Sequence, residues 1–150
     1  MARISVIIPT LNAEEPLRRS LPSLASLSAL SMLRQVIFAD GGSSDRTAEI
    51  AEEAGADFLR APRGRGTQLA AGAERASGEW LLFLHADTVL DPGWERVARA
   101  FMDEPGNAGR IGYFRFGLDD PSPGARWLEA AVAMRCRLLR LPYGDQGMLM

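Results

Sequence analysis

Three apolar runs, each released abruptly into polar residues, constrain what this chain can become. Residues 4–8 (ISVII) open into Pro9, Thr10, Leu11 and Asn12, and residues 35–39 (QVIFA) open into Asp40, Gly41 and Gly42. Residues 80–84 (WLLFL) open into His85, Ala86, Asp87 and Thr88. Short continuous runs of this kind read as strands buried on both faces, the habit of parallel sheets. Polar groups at the carboxyl ends of such strands stand where open α/β sheets bind ligands. The runs therefore predict a sheet that carries Asp40 and Asp87 along one edge.

The intervening segments read mainly as helices. Leu17, Leu21, Leu24 and Leu27 share one face of a helix over 14–33, with Pro16 tolerated in its first turn and Pro22 bending or breaking it. Ser44, Asp45 and Thr47 supply the next helix start, Ser44 as the cap and Asp45 as complement to the helix N-terminus, and Gly55 supplies the stop. Residues 57–61 (DFLRA) read as a short strand, and the loop 62–66 (PRGRG) leads into a small-residue helix over 67–76. Asp91 and Pro92 start a further helix with Val97 and Phe101 facing inward. Residues 111–117 (IGYFRFG) read as a strand, and Ser122 with Pro123 opens a helix to about Leu141. Strands and helices alternating at this spacing predict parallel strands joined by right-handed crossovers, an α/β fold.

Composition narrows the function classes. A chain of 150 residues, 47% hydrophobic and 24% charged, is a single domain with a real core. Its net charge of -2 argues against a nucleic-acid partner. All 17 basic residues are arginine, which excludes a lysine nucleophile, a Schiff-base lysine and the lysine of a Walker loop. Cys136 is the single cysteine, so no internal disulfide forms, and it reads as a small core residue on a helix. No apolar run approaches the roughly 20 residues that span a bilayer, and the start MARISVII lacks the apolar region and cleavage site of a signal peptide. A cytoplasmic protein is the expectation. Arg126, Arg135, Arg137 and Arg140 make the late helix basic while Trp127, Leu128, Val132, Leu138 and Leu139 make it apolar. Such a helix could lie on an anionic membrane, but nothing beyond it indicates membrane contact, and packing over the sheet is the favoured reading. The last ten residues (LPYGDQGMLM) end on an apolar run where a new strand begins, so the chain reads as truncated at its C-terminus.

Asp40, Asp87 and Asp145 all follow apolar runs or turns that would converge on one sheet edge. Carboxylates gathered there can hold a divalent cation, and the cation can neutralise a departing diphosphate. Each also has a plainer reading: Asp40 as a turn into a capped helix, Asp87 as a turn or cap ahead of Asp91, and Asp145 as a turn between two glycines. His85, the one histidine, is either a hydrogen-bonding structural group or a ligand beside Asp87. The segment Arg63-Gly64-Arg65-Gly66 is half of a dinucleotide fingerprint, but Leu69 occupies the last glycine position and the segment follows the third strand rather than the first. Nicotinamide binding is disfavoured; two arginines at a helix N-terminus still make an anion grip.

Taken together, residues 7–15 (IIPTLNAEE), 38–47 (FADGGSSDRT) and 78–88 (GEWLLFLHADT) resemble the family 2 glycosyltransferases. With RGRGTQL, HADT and YGDQG added, the chain looks most like the bacterial subgroup labelled arsenosugar-biosynthesis or selenodomain-associated glycosyltransferases. The resemblance covers nearly the whole chain. It implies the GT-A fold, a Rossmann-like, mostly parallel mixed sheet flanked by helices, over one nucleotide-sugar-binding domain, residues 1–150. It also implies an inverting transfer of a sugar from a nucleotide-diphosphate donor, a UDP-sugar, to the hydroxyl of an unidentified acceptor. By position, Pro9, Thr10, Asn12 and Glu14 would line the nucleotide pocket and Asp40 would hydrogen-bond the base. Asp87 matches the last aspartate of the family's Asp-X-Asp element and would ligate Mg²⁺ or Mn²⁺ on the donor diphosphate. His85 stands where the first aspartate usually stands, with Ala86 between them. Residues 68–72 lack the family's Arg-Asn pair, leaving Arg65 or Gln68 as substitutes, and Asp145 matches the catalytic base. Members of the subgroup are longer than this chain, which implies that the acceptor-side portion follows Met150.

Two other readings compete. Sugar nucleotidyltransferases need a glycine-rich first loop with basic residues and a lysine, whereas this first loop is PTLNAEE. A truncated or degenerate module could bind a nucleotide sugar without turnover, a reading favoured by His85 and the early stop.

Overall fold

The computed structural model describes residues 3–139 and 147–150. Its centre is β1 (Ile4–Thr10), which pairs in parallel with β2 (Leu33–Asp40) on one side and with β4 (Trp80–Phe83) on the other. Outside β2 lies β3 (Asp57–Arg60), also parallel. Beyond β4 come two short antiparallel strands, β6 (Met148–Leu149) and then β5 (Gly112–Tyr113), which completes the order β3-β2-β1-β4-β6-β5. The four parallel strands and the closing β6 follow the expectation. The strand expected over 111–117 shrinks to two residues.

The apolar runs are continuous because both sheet faces are covered. Ile4, Val6 and Ile8 enter one core with Phe38, Leu82 and Leu149 from neighbouring strands, and Ile7, Ile37 and Phe83 enter a smaller core on the opposite face. The larger core is sealed by Leu17 of α1 (Glu14–Ser20), Ile50 of α3 (Thr47–Glu53) and Trp94 of α5 (Trp94–Asp103). The smaller is sealed by Leu69 and Ala73 of α4 (Arg65–Arg75). Trp94 also meets Phe114 edge-on at 5.8 Å and donates its indole N–H to Ser23 O. The late helix, α6 (Pro123–Leu139), buries Ala125, Val132 and Cys136, as expected for Cys136. Its Trp127, Met134 and Leu138 remain exposed.

Two helices depart from the periodicity reading. The leucine-bearing segment is interrupted by a 3₁₀ turn at Leu21–Leu24, before a short α2 (Ala25–Ala29). Pro22 lacks the N–H an α-helix would use, so it forces the break the sequence anticipated. In α5 the inward residues are Trp94, Ala98 and Met102, while Val97 is 68% exposed. Asp91 and Pro92 form the turn before this helix rather than its first residues. Starting at Trp94, the i, i+4, i+8 stripe runs through Ala98 and Met102, and Val97 falls outside it.

Helix α4 lies unusually close to the sheet. A Cβ built at Gly72 would stand 2.4 Å from Cγ2 of Ile7, whose buried, β-branched side chain cannot swing aside. Gly66 of the same helix meets nothing within 4 Å. Gly72→Ala is therefore expected to lower stability by about 1–2 kcal/mol, overpacking outweighing the gain in helix propensity. Gly66→Ala should instead stabilise by up to about 1 kcal/mol. Urea midpoints for the two variants check both signs.

Candidate functional site

The site grows from the register of the two central strands. Thr10 and Asp40 end β1 and β2 directly opposite each other. Asp40 is 1% exposed, yet both oxygens of its carboxylate accept hydrogen bonds. Oδ1 accepts from Thr10 Oγ1 at 3.0 Å and from Ser43 Oγ at 2.5 Å. Oδ2 accepts from the amides of Gly42 at 2.9 Å and Ser43 at 2.8 Å. Burial pushes this carboxyl up, but the bonds from Ser43, Gly42 and Thr10 together outweigh it and hold the group below the ordinary aspartate range.

The loop after β2 then satisfies the N-terminal amides of α1, which Ala13 cannot cap with its own side chain. Successive amides of Asn12, Ala13 and Glu14 donate to Ser43 Oγ at 2.8 Å, Thr47 Oγ1 at 2.9 Å and Asp45 Oδ2 at 3.0 Å. In return, Asn12 Oδ1 accepts from the Ser44 amide at 2.9 Å. Asn12 sits at a φ of +49°, a left-handed conformation that asparagine tolerates better than most residues. Ser44 thus does not cap α3, because its polar atoms are turned to Asn12. The Thr47 amide is received by Asp45 Oδ1 at 3.1 Å instead. Burial pushes the Asp45 carboxyl up, and the bonds from Thr47 and the Glu14 amide outweigh it and hold it low.

Against this wall stands the N-terminus of α4. Gln68, 5% exposed, donates through Nε2 to the carbonyls of Thr10 at 2.8 Å and Ala39 at 2.7 Å, and its Oε1 accepts from the Gly64 amide at 3.3 Å. Its amide packs on Gly41, where a Cβ would come within 3.2 Å of Nε2. Gln68 is therefore a brace between helix and sheet. Arg63 and Arg65 flank the brace and make no ion pair among the described residues.

The third wall follows β4. The Leu84 amide still donates to Ile7 O at 3.0 Å, and the Ala86 carbonyl is pinned by Ser20 Oγ at 2.7 Å. His85 Nδ1, protonated in the tautomer this contact requires, donates to Asp87 Oδ1 at 2.5 Å. The Asp87 side chain is 68% exposed, so its other oxygen faces the open cleft.

The three walls enclose a cleft of about 330 Å³. Of the residues singled out from sequence, Pro9, Thr10, Asn12, Arg65, Gln68, His85, Ala86 and Asp87 line it. Asp40 lies beneath it, and Glu14 points along α1 toward Arg18 at 3.4 Å and Arg46 at 4.0 Å. Asp145 lies outside the described residues. Sequence reasoning missed Ser43 and Ser20 and read Thr47 only as part of a helix start; none of the three lines the cleft, and all hold its walls in place, the Asp-Gly-Gly-Ser turn being the one available signal for Ser43. No group of three or more His, Cys, Asp or Glu side chains converges among the described residues. A cation here would be held by Asp87 together with the oxygens of a bound diphosphate, the manner in which Mg²⁺ joins one or two carboxylates to substrate phosphates. That donor set fits.

A crevice at the carboxyl edge of the parallel strands, beside β1 where the strand order switches direction between β2 and β4, is where open α/β domains take up their ligands. The description "Glycosyl transferase family 2" matches residues 5–141, and the chain belongs to that family. Poly-beta-1,6-N-acetyl-D-glucosamine synthase of Staphylococcus epidermidis is 36% identical over 94 residues, a stretch covering 59% of this chain but 22% of that relative. Among solved structures, M. tuberculosis glucosyl-3-phosphoglycerate synthase in complex with Mn²⁺, UDP and glucosyl-3-phosphoglycerate superposes with a TM-score of 0.63 at 21% identity, over 98% of this chain and 56% of that one. S. aureus TarS 1-349 in complex with UDP-GlcNAc gives 0.64 at 24% identity, over 80% of this chain and 36% of that one. The fold is GT-A. No helix among the described residues is long and apolar enough to cross a membrane.

Asp40→Asn keeps the side-chain shape but turns an amide N–H₂ toward groups that donate. The expected loss is on the order of 3 kcal/mol at neutral pH. Because the folded-state pKa is lowered, this contribution is fully present above the ordinary value of 3.8 and is lost as pH falls through the lower folded value. The stability gap between wild type and variant, measured by urea titration at several pH values, should be constant near neutrality and narrow below about pH 3.8.

Proposed function

We propose that this chain is the donor-binding part of an inverting glycosyltransferase that passes a sugar from a nucleotide diphosphate, a UDP-sugar, to an acceptor hydroxyl. The observation that carries the reading is the meeting, in one cleft, of an anion grip and an exposed carboxylate across from the β1 loop. Arg63, Arg65 and the first amides of α4 suit a diphosphate. Asp87 suits the cation that rides on it, Mg²⁺ or Mn²⁺. The UDP and Mn²⁺ complexes of the structural relatives support the same pairing.

In this reading Thr10 and Asn12 form the wall against which the nucleoside lies, and Arg63 with Arg65 orients the phosphates so that the anomeric carbon faces the open side. A base, assigned to Asp145, removes the proton from the acceptor hydroxyl. The acceptor oxygen bonds to the anomeric carbon from the face opposite the diphosphate, the bond to the phosphate oxygen breaks, and its electron pair leaves with the nucleoside diphosphate, which inverts the anomeric centre. The cation, when bound, stabilises the negative charge on that leaving group. The HADT and YGDQG motifs support placing the chain in the arsenosugar-biosynthesis or selenodomain-associated subgroup.

A second reading, a module that binds the donor without turnover, is favoured by the His85 contact, which occupies one Asp87 oxygen. Donor hydrolysis measured apart from UDP binding separates the two. For the binding step itself, UDP with Mn²⁺ at 100 times Kd should raise Tm by roughly 5–10 °C. Asp87→Ala should abolish that shift, and an unshifted wild type at millimolar UDP would sink the proposal.

A further inference from the structure

Helix α6 is apolar on two opposite sides, and the rest of the domain covers one of them. Its smaller residues Ala125, Val132 and Cys136 are buried. Half a turn round the helix, Trp127, Met134 and Leu138 recur at the i, i+7, i+11 spacing of a single stripe and are 74%, 63% and 71% exposed. Burial within the domain therefore accounts for the smaller side chains alone. Singly exposed apolar residues are ordinary, whereas large ones aligned on one helix face mark a docking surface.

The charged groups beside the stripe select what it meets. Between Trp127 and Leu138 there is no Ser, Thr, Asn, Gln or Tyr, and the only acid is Glu129. By helical spacing, Arg126 and Arg137 border one edge of the stripe and Arg135 the other. Glu129 belongs to the inner side: its side chain is 10% exposed, and its carboxylate accepts from the Leu118 amide and from Arg126, each at 2.8 Å. In an antiparallel pair of these helices, Arg126 of one copy would approach Arg137 of the other with no exposed acid between them, so a second copy meets like charge. A different protein would find few hydrogen-bonding groups, although interfaces carry about one hydrogen bond per 100–200 Å². An anionic bilayer suits both features, since the apolar stripe enters between the headgroups while the arginine stems lie along it and their guanidinium groups meet phosphates.

We propose that α6 is an interfacial helix that lays its Trp127, Met134 and Leu138 face on an anionic phospholipid surface. Its 17 residues make a rod about 25 Å long, which lies in the plane of the interface rather than across it. The proposal does not depend on the donor reading, because none of these residues lines the cleft.

Flotation of the 150-residue chain with vesicles tests it, using equal parts of phosphatidylglycerol and phosphatidylcholine against phosphatidylcholine alone. Wild type should float with the anionic vesicles, bind the neutral ones about tenfold or more weakly, and lose anionic binding as salt rises. Trp80 and Trp94 are buried, so a blue shift of tryptophan emission that brominated lipid quenches reports Trp127. Trp127→Ser combined with Leu138→Ser should weaken binding about tenfold or more. Arg137→Gln should weaken it about fivefold on anionic vesicles and leave neutral ones unaffected. Because the three positions are exposed, thermal melting and UDP binding with Mn²⁺ should match wild type, and a wild type that binds no UDP leaves the vesicle result standing. Wild type that stays unbound to anionic vesicles overturns the proposal, as does vesicle binding that the double variant retains. Sedimentation equilibrium without lipid supplies the remaining outcome: a wild-type dimer that the double variant dissolves assigns the stripe to a second copy and also overturns it.

Discussion

The site depends on one structural fact: two parallel strands end in register and the loops that follow them cap each other. Neither α1 nor α3 has a capping side chain at the residue before it, since Ala13 and Arg46 make no such bond. The amides leading into α1, those of Asn12, Ala13 and Glu14, are received by Ser43 and Asp45 of the loop beyond the neighbouring strand and by Thr47 at the start of α3. A helix cap is ordinarily local and contributes about 1 kcal/mol. Here the caps are long-range, so the loops form only when β1 and β2 are paired. The cleft wall is consequently as stable as the sheet edge, an arrangement that binding benefits from because little is left to order when a ligand arrives.

The opposing jaw is held by the same economy of groups. Gln68 spans from α4 to the carbonyl of Thr10, the last residue of β1, and to that of Ala39, the last but one of β2, and Gly72 lets the helix approach closely enough for that reach. Arg63 and Arg65 thereby stand on a rigid base although they belong to a loop and a helix start. The glycine at 72 therefore has a cause in geometry: a side chain there would press on Ile7, lift α4 away and carry the arginines with it.

How far the sequence disclosed this follows from which forces were involved. Burial acts on runs of residues, so the strands at 4–8, 35–39 and 80–84 and their polar ends were legible, and with them most of the cleft lining. Proline chemistry is local, so the break at Pro22 was legible too. Hydrogen-bond partners are chosen in three dimensions. Ser44 has the composition of a cap, yet the αL turn at Asn12 brings a competing acceptor and Ser44 turns to it. Ser43 and Thr47 carry only local turn and helix-start signals and Ser20 carries none, so nothing in the sequence names the walls they support. Of the two residues read as inward on α5, Phe101 packs against the core and meets the Trp80 ring, whereas Val97 falls at the edge of the stripe set by Trp94, Ala98 and Met102 and is exposed. The two-residue β5 shows the limit in the other direction, since an aromatic-rich segment is free to leave strand pairing once Phe114 finds the Trp94 ring.

Asp40 and Asp87 end two strands of the same sheet and look equivalent in sequence, but their surroundings divide the labour. Asp40 is buried, accepts four hydrogen bonds and is held ionised by them. Asp87 is exposed and bonded only to His85 among the described residues, so most of its acceptor capacity faces the cleft. A carboxylate held by several donors resists reorganisation and suits a wall, whereas one held by a single donor suits a cation or a changing charge. His85 sharpens the second case. By taking one Asp87 oxygen it reduces the freedom of the carboxylate without removing its charge, and leaves the other oxygen to the cleft that Asp87 lines. An aspartate in place of His85 would set two like charges side by side, held together only when a cation is present. With histidine there, Asp87 is oriented before the cation arrives.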